Sequence, residues 1–90
     1  MIPGLTPEQL LLIADEFARV NRVEVRSFAA LAQAAATPGA HFAGVPVFAD
    51  VAAARAGLED AVRLLEPLTG RNNAFASVCG EVYEKFAAAR

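Results

Sequence analysis

The chain has 90 residues, of which 56% are hydrophobic, and its formal net charge is −2 at neutral pH. A chain of this length forms one domain, and much of its apolar content is alanine, which favours helices but buries little area per residue. Eight basic residues against ten acidic ones argue against the electrostatic attraction that nonspecific nucleic-acid binding requires, so no nucleic-acid partner is expected.

The cysteine content and the hydropathy of the chain indicate the cellular compartment in which the protein is expected. The single cysteine, Cys79, cannot form an intrachain disulfide, and its place on an apolar stripe predicts a buried free thiol. The longest apolar run, Leu10 to Ala14, is far shorter than the ~20 residues of a membrane span. No signal-peptide pattern precedes it. We therefore expect a cytoplasmic protein that does not bind membranes.

The first helix begins at a dense start signal. Thr6 is placed to cap the helix, Pro7 fits the first helical position, and Gln9 completes a capping box. The spacing of apolar residues predicts a helix from 7 to 20. Its predicted core face consists of Leu10, Ile13, Ala14, Phe17 and Val20.

A short connector and a second helix follow. Residues 23–26 alternate apolar and polar side chains, which is typical of a linker or a short β-like pair. Ser27 is placed to cap a helix that runs through Ala36, and Pro38 ends it because the residue before a proline leaves the helical region. The predicted inward residues of this helix are Phe28, Leu31 and Ala35.

Residues 39–49 predict an ordered but irregular loop, because two glycines and a proline interrupt a run of apolar residues. The side chains expected to hold this loop against the core are Phe42, Val45, Val47 and Phe48. His41, the only histidine, lies in the same loop. A lone histidine acts as an acid, base or ligand only if partners converge on it. Two interpretations of His41 therefore stay open, a satisfied or exposed loop residue and a functional one.

The third helix is predicted from a cap at Asp50 to about Leu65. Its apolar stripe consists of Val51, Ala54, Leu58, Ala61, Val62 and Leu65. On its charged side, i,i+4 spacing allows weak surface pairs between Arg55 and Glu59 and between Glu59 and Arg63.

The turn at 66–73 leads into a fourth helix, predicted for residues 74–88. Its core face consists of Phe75, Val78, Cys79, Val82, Tyr83 and Phe86, of which Phe75, Val82 and Phe86 are predicted to be largely buried. A helix N-terminus has free N–H groups and about half a positive charge, so this lead-in can hold an anion. The candidate binding residues are Gly70, Arg71, Asn72 and Asn73. A purely structural interpretation stays open, in which Asn72 or Asn73 caps the helix and Gly70 supplies a positive-φ turn.

The sequence lacks the residue sets of several common sites. One histidine and one cysteine do not make a zinc site, and no metal ligands are predicted. The only lysine, Lys85, lies near the C-terminus, so no phosphate-binding loop with a lysine after its second glycine is present.

The order of these signals resembles a small Doc-type member of the Fic/Doc family, and the similarity covers nearly the whole chain. The matching stretches are Leu5-Thr6-Pro7-Glu8-Gln9-Leu10, Val25-Arg26-Ser27-Phe28-Ala29-Ala30-Leu31, Ala35-Ala36-Thr37-Pro38-Gly39-Ala40, Phe42-Ala43-Gly44 and Phe48-Ala49-Asp50-Val51. The resemblance implies an all-α fold, a small four-helix Fic/Doc-like domain spanning residues 1–90.

The motif that defines this family is a His-Pro-Phe turn, an acidic residue and a Gly-Asn-Lys-Arg run at a helix N-terminus. In such enzymes the histidine is thought to act as base, the acid to hold Mg²⁺, and the helix N-terminus to cradle nucleotide phosphates. The corresponding stretch here is 66–73, in which Pro67 and Gly70 match the family pattern. Glu66 stands in the histidine position, or Leu65 does if the shorter turn is allowed for.

The remaining positions also depart from the family pattern. Thr69 lies near the place of the metal-binding acid, and Arg71, Asn72 and Asn73 replace the asparagine, lysine and arginine. The chain ends at Arg90, where family members usually continue with further helix, so a truncated form of the domain is one interpretation. The motif is therefore degenerate.

Three functional interpretations follow. The first is a catalytically inactive Fic/Doc-like protein that acts through protein–protein interaction in a toxin–antitoxin context, without a cofactor and with a partner such as an antitoxin. The second is an active AMP- or phosphoryl-transferase that uses ATP and Mg²⁺, with Glu66 as base and Arg71 in the phosphate site. The third is an unrelated small helical interaction domain.

Self-association is expected as well. Short alanine-rich helices and the apolar loop at 39–49 leave more apolar surface than a small monomer usually exposes, and a symmetric dimer covers such a surface with its own copy. The expected contact surface is this loop with the outer face of the second or fourth helix.

Overall fold

The computed structural model describes residues 2–90. Across these residues the chain forms four helices and one two-stranded antiparallel hairpin. The elements are α1 (Pro7–Asn21), α2 (Phe28–Ala36), β1 (His41–Phe42), β2 (Val45–Pro46), α3 (Val51–Leu65) and α4 (Asn72–Ala88). The prediction of a small, four-helix, all-α domain is confirmed.

Local capping chemistry starts three of the helices where the sequence predicts it. The Thr6 hydroxyl accepts a hydrogen bond from the backbone N–H of Gln9, and the Gln9 side chain accepts one from the N–H of Thr6, which completes the capping box of α1. Ser27 caps α2 and Asp50 caps α3 in the same way, each by accepting from a backbone N–H three residues later.

The core lies between all four helices. Its largest fully buried side chains include Tyr83, Phe75, Leu10, Leu31 and Leu58. The rings of Phe17 and Phe75 meet with their centroids 5.3 Å apart, and the Tyr83 hydroxyl bonds the carbonyl oxygen of Pro3. The first contact joins the end of α1 to the start of α4, and the second joins the segment before α1 to the C-terminal half of α4. The two helices therefore run antiparallel. α3 and α4 pack most extensively, and among the helix pairs that contact each other the α1–α4 contact is the smallest.

Three apolar residues predicted to face the core are exposed. Val20 on α1 exposes 64% of its surface, Phe28 at the start of α2 exposes 67%, and Val82 on α4 exposes 39%. Val20 and Val82 lie where α1 and α4 make few contacts with each other. Neither helix therefore covers these apolar residues of the other. The predicted burial of Phe75 is confirmed, that of Val82 is wrong, and Phe86 is only partly buried.

The irregular loop predicted at 39–49 is a hairpin. Ala43 and Gly44 form its two-residue turn with φ values of 52° and 82°, as a type I′ turn requires. The predicted packing of Phe42, Val45 and Val47 against the core is wrong, because these three side chains are exposed. Phe48 does pack against the body, over Gly57, where an added Cβ would overlap its ring.

The charged side of α3 forms one of the two predicted pairs. Arg55 reaches Glu59 at 3.3 Å and extends to Glu84 on α4 at 2.9 Å. Arg63 pairs with Asp60 at 3.4 Å instead of Glu59, because Glu59 turns toward Arg55 and α4.

Candidate functional site

The turn between α3 and α4 is shaped by two non-glycine residues in the left-handed region. Glu66 ends α3 with φ 47° and donates its N–H to the Val62 carbonyl, while Arg71 precedes α4 with φ 58°. Gly70 does not have a positive φ. The interpretation that Gly70 supplies the left-handed residue is therefore wrong, because Glu66 and Arg71 make the two reversals.

Asn72 holds the turn together. Its side-chain amide accepts a hydrogen bond from the N–H of Leu68 and donates one to the carbonyl oxygen of the same residue, each at 3.0 Å. Residue 71 occupies the cap position of α4 without a side-chain hydrogen bond. Capping by Asn72 or Asn73 is therefore a wrong prediction, and the Asn72 amide is used within the turn.

A second chain segment pairs with the turn. Val25 and Leu68 form an antiparallel bridge, and Thr69 donates its N–H to the carbonyl oxygen of Glu24 at 2.8 Å. The Thr69 hydroxyl in return accepts from the N–H of Glu24 at 3.0 Å. The short β-like pair predicted for residues 23–26 is confirmed, and its partner is this turn.

Arg26 closes the end of α3. Its guanidinium donates to the carbonyl oxygen of Leu65 at 3.0 Å and to that of Glu66. A cation at a helix C-terminus satisfies free carbonyl groups and complements the helix dipole. Sequence reasoning missed this role, because 39 and 40 residues separate Arg26 from its acceptors and no local pattern marks the contact.

These segments surround an open, polar cleft of about 570 Å³. The lining residues are Arg26, Arg63, Glu66, Leu68, Thr69, Gly70, Arg71, Asn72 and Asn73. The structure thus brings the candidate residue Glu66 together with the candidate anion-binding residues 70–73. It adds Arg26 and Arg63, which the sequence did not indicate.

The lining of the cleft carries more basic than acidic side chains, although the chain has a net negative charge. Its three arginines come from the segment before α2, from α3 and from the start of α4, and Glu66 is the carboxylate among its lining residues. Arg63 makes one long contact, at 3.4 Å, with Asp60. Among residues 2–90, no ion pair involves Arg71.

His41 and Cys79 lie elsewhere. His41 is exposed in the hairpin, with its Nδ1 2.8 Å from the Gly39 carbonyl oxygen. Cys79 is buried, as predicted, and burial together with the nearby Glu59 carboxylate raises the pKa of its thiol to about 12. Within residues 2–90 no group of three or more His, Cys, Asp or Glu side chains is placed to hold a metal ion.

A second surface feature is an apolar groove between α1 and α4. Two recesses of about 390 and 240 Å³ share Ile13 and Val82, so they adjoin each other, and the two together are referred to as the groove. Its other lining residues are Leu5, Gln9, Leu12, Glu16, Phe17, Val20, Asn21, Val78 and Phe86. Leu12 exposes 71% of its surface on one edge of this groove.

Comparisons with protein-family models, with curated proteins and with solved structures find no significant match. In the described part of the chain, no helix has the length and apolar character needed to cross a membrane.

Proposed function

We propose that the protein works by binding another protein, as a catalytically inactive, Fic/Doc-like module of the cytoplasm. The observation that carries this proposal is the α1–α4 groove, in which Leu12, Val20 and Val82 expose large fractions of apolar surface along one face. Contiguous exposed apolar patches on small domains mark interaction sites. A groove between two antiparallel helices also suits a helix of a protein partner.

The resemblance to the Fic/Doc family gives this proposal its context. A degenerate member of that family in a toxin–antitoxin pair would act on a protein partner such as an antitoxin. The stretch that corresponds to the family motif here serves the fold: Asn72 bonds within the turn, and residues 24–27 pair with it. These contacts support a structural use of the turn in this chain.

Site-specific photo-crosslinking in the producing cells tests the proposal. A photoreactive amino acid replaces Val20 in the groove, and the matched control replaces Leu64, which is exposed on α3 outside the groove. We expect protein adducts from position 20 and none from position 64. A second groove variant carries the photoreactive amino acid in place of Leu12. If neither position 20 nor position 12 gives a protein adduct, the groove is not a docking surface and the proposal fails.

A second candidate function is the binding of a phosphate-bearing ligand in the polar cleft. It is favoured by one specific observation: Arg63 and Arg71 line this cleft together with Arg26, whose guanidinium also bonds the carbonyl oxygens at the end of α3. Arginine recognises phosphate through paired N–H donors. Under the transferase interpretation the ligand is ATP with Mg²⁺, and Glu66 at the cleft edge is the base.

Calorimetric titration with ATP and Mg²⁺ tests this second candidate. Arg71→Ala is the informative variant, because none of the ion pairs among residues 2–90 includes Arg71 and its removal leaves the turn bonds of Arg26 intact. Lys85→Ala removes a charge away from the cleft and serves as control. Heat that is lost in Arg71→Ala and kept in Lys85→Ala supports the cleft, and a flat trace with the unsubstituted protein removes the second candidate.

A further inference from the structure

We propose that the segment bound in the α1–α4 groove is an amphipathic helix of a different protein, with lysine or arginine residues on the flank that faces α1. The inference rests on the proposed function, in which the groove docks a protein, and it adds the chemistry of the partner. Apolar residues of the partner helix occupy the groove, and its basic residues meet the carboxylates of α1 beside the groove.

The polar side chains that line the groove already have hydrogen-bond partners within α1 or its cap. Gln9 bonds the cap of α1, and the Asn21 amide donates to a carbonyl oxygen of the last turn of α1. Glu16 is the lining residue with a formal charge, and its carboxylate accepts two hydrogen bonds from Arg19. The remaining lining residues are apolar. A helix with apolar anchors at i, i+3 or i+4, and i+7 fits such a lining.

The edge of the groove formed by α1 is negatively charged. Glu8 and Asp15 lie at i−4 and i+3 from Leu12, so they share its strip of the helix surface, and both are exposed. Neither takes part in an ion pair among residues 2–90. Together with Glu16 and Arg19, this edge carries three carboxylates and one guanidinium, a net charge of −2. Its two unpaired carboxylates are available to a cationic partner.

The elements next to this edge do not neutralise it. α2, which packs against α1, contains no charged residue. The α4 edge of the groove carries one acid and one base, Glu81 and Lys85. Arg22 caps the C-terminus of α1, and Arg90 lies past the end of α4, with its guanidinium 5.3 Å from the centroid of the Phe86 ring. These two cations lie at the ends of the groove, whereas the unpaired carboxylates lie along its α1 edge. The complement of this edge is a basic flank on the partner helix, because opposite charges across an interface steer and orient binding.

Fluorescence anisotropy with two synthetic helical peptides tests the proposal on the full chain. Both peptides carry the same row of leucines at i, i+4, i+7 and i+11, and they differ only in the flanking residues, which are lysine in one peptide and glutamate in the other. The lysine-flanked peptide should bind at least ~tenfold more tightly in about 50 mM salt. This difference should shrink in about 0.5 M salt, because salt screens exposed charges. Leu12→Gln should weaken the binding of the lysine-flanked peptide by at least ~fivefold, which places the peptide in the groove.

Charge reversal on α1 separates a local effect from the net charge of the chain. The double variant Glu8→Lys with Asp15→Lys should reverse the preference, so that the glutamate-flanked peptide binds more tightly than it does to the unsubstituted protein. A gain in affinity of this kind cannot arise from misfolding. The matched control is Glu24→Lys with Asp60→Lys, which changes the net charge by the same amount at exposed positions outside the groove. It should keep the preference for the lysine-flanked peptide.

Three outcomes overturn the proposal: no binding of the lysine-flanked peptide, equal binding of both peptides, or a preference that survives the double variant on α1. The proposed function is decided separately, by the crosslinking in the producing cells. Adducts from position 20 to a protein segment without lysine or arginine flanks would refute the basic partner helix and leave the proposed function standing.

Discussion

The hydroxyl of Tyr83 donates a buried hydrogen bond of 2.7 Å to the carbonyl oxygen of Pro3, 80 residues away in sequence. This bond ties the segment before α1 to the C-terminal half of α4. Tyr83→Phe removes the donor and leaves a buried carbonyl without its partner, which should lower the free energy of unfolding by about 1–2 kcal/mol. Urea denaturation followed by helical circular dichroism measures the change. An unchanged midpoint would show that water satisfies Pro3.

Cys79 should be unreactive in the folded protein. The thiolate is the reactive form of cysteine, and burial beside Glu59 raises the pKa of this thiol from 9.0 to about 12. Ellman's reagent at mildly alkaline pH should therefore label Cys79 only after a denaturant is added. Rapid labelling without denaturant, at the rate of a free cysteine peptide, would contradict the buried position.

Stability should fall at alkaline pH. Burial raises the pKa of both Cys79 and Tyr83 in the folded state, so the unfolded chain loses these protons at lower pH than the folded one. The free energy of unfolding then decreases as pH rises through the unfolded-state pKa of the cysteine, near 9.0, towards its folded value of about 12. Urea midpoints across this range measure the slope. Cys79→Ala should have a shallower slope than the unsubstituted protein, and an equal slope would show that Cys79 does not contribute.

Helix starts could be predicted from the sequence because their chemistry is local. Thr6 and Gln9 satisfy each other within four residues, and Ser27 and Asp50 bond N–H groups three residues ahead. Cap residues of this kind act within one turn of helix and need no tertiary contact. Their positions therefore agree with the structure.

The features that depend on distant residues could not be predicted in the same way. Arg26 joins the cleft only because residues 24–27 pair with the turn some 40 positions later. The exposure of Val20 and Val82 depends on how little α1 and α4 overlap, which apolar spacing alone does not report. Spacing indicates which face of a helix is apolar, whereas the packing of its neighbours determines how much of that face is covered.

Gly57 should be required for the anchoring of the hairpin. A Cβ at this position would overlap the ring of Phe48. Phe48 follows the hairpin in sequence and packs against the helical core. In Gly57→Ala the ring must shift from its place on α3. Amide exchange at Val47, whose N–H bonds the Ala40 carbonyl at 2.9 Å, should then become faster. Alanine favours the helical state of α3 by up to ~1 kcal/mol relative to glycine. This gain opposes the loss of the Phe48 contact, so the global free energy of unfolding should change little.

Gly70→Ala is the matched control for this prediction. Its added methyl group would meet Val23 at 3.7 Å, which is an ordinary contact, and Gly70 has no positive φ. Hydrogen exchange followed by NMR compares the two variants residue by residue. Exchange at Val47 that stays the same in Gly57→Ala would show that Phe48 does not hold the hairpin.

Phe75 and Val82 test how far the apolar face of α4 contributes to the core. Both lie on the predicted stripe, but Phe75 is fully buried against Phe17, whereas Val82 is 39% exposed at the groove. Phe75→Ala should cost about 3–5 kcal/mol, because it leaves a cavity that the surrounding helices cannot fill. Such a loss is comparable to the whole stability of a small domain. Val82→Ala should cost less than ~1 kcal/mol, since little buried surface is lost. Thermal unfolding of both variants and of the unsubstituted protein measures the two losses. Equal losses of melting temperature would mean that α1 covers Val82 in solution and that the groove is closed.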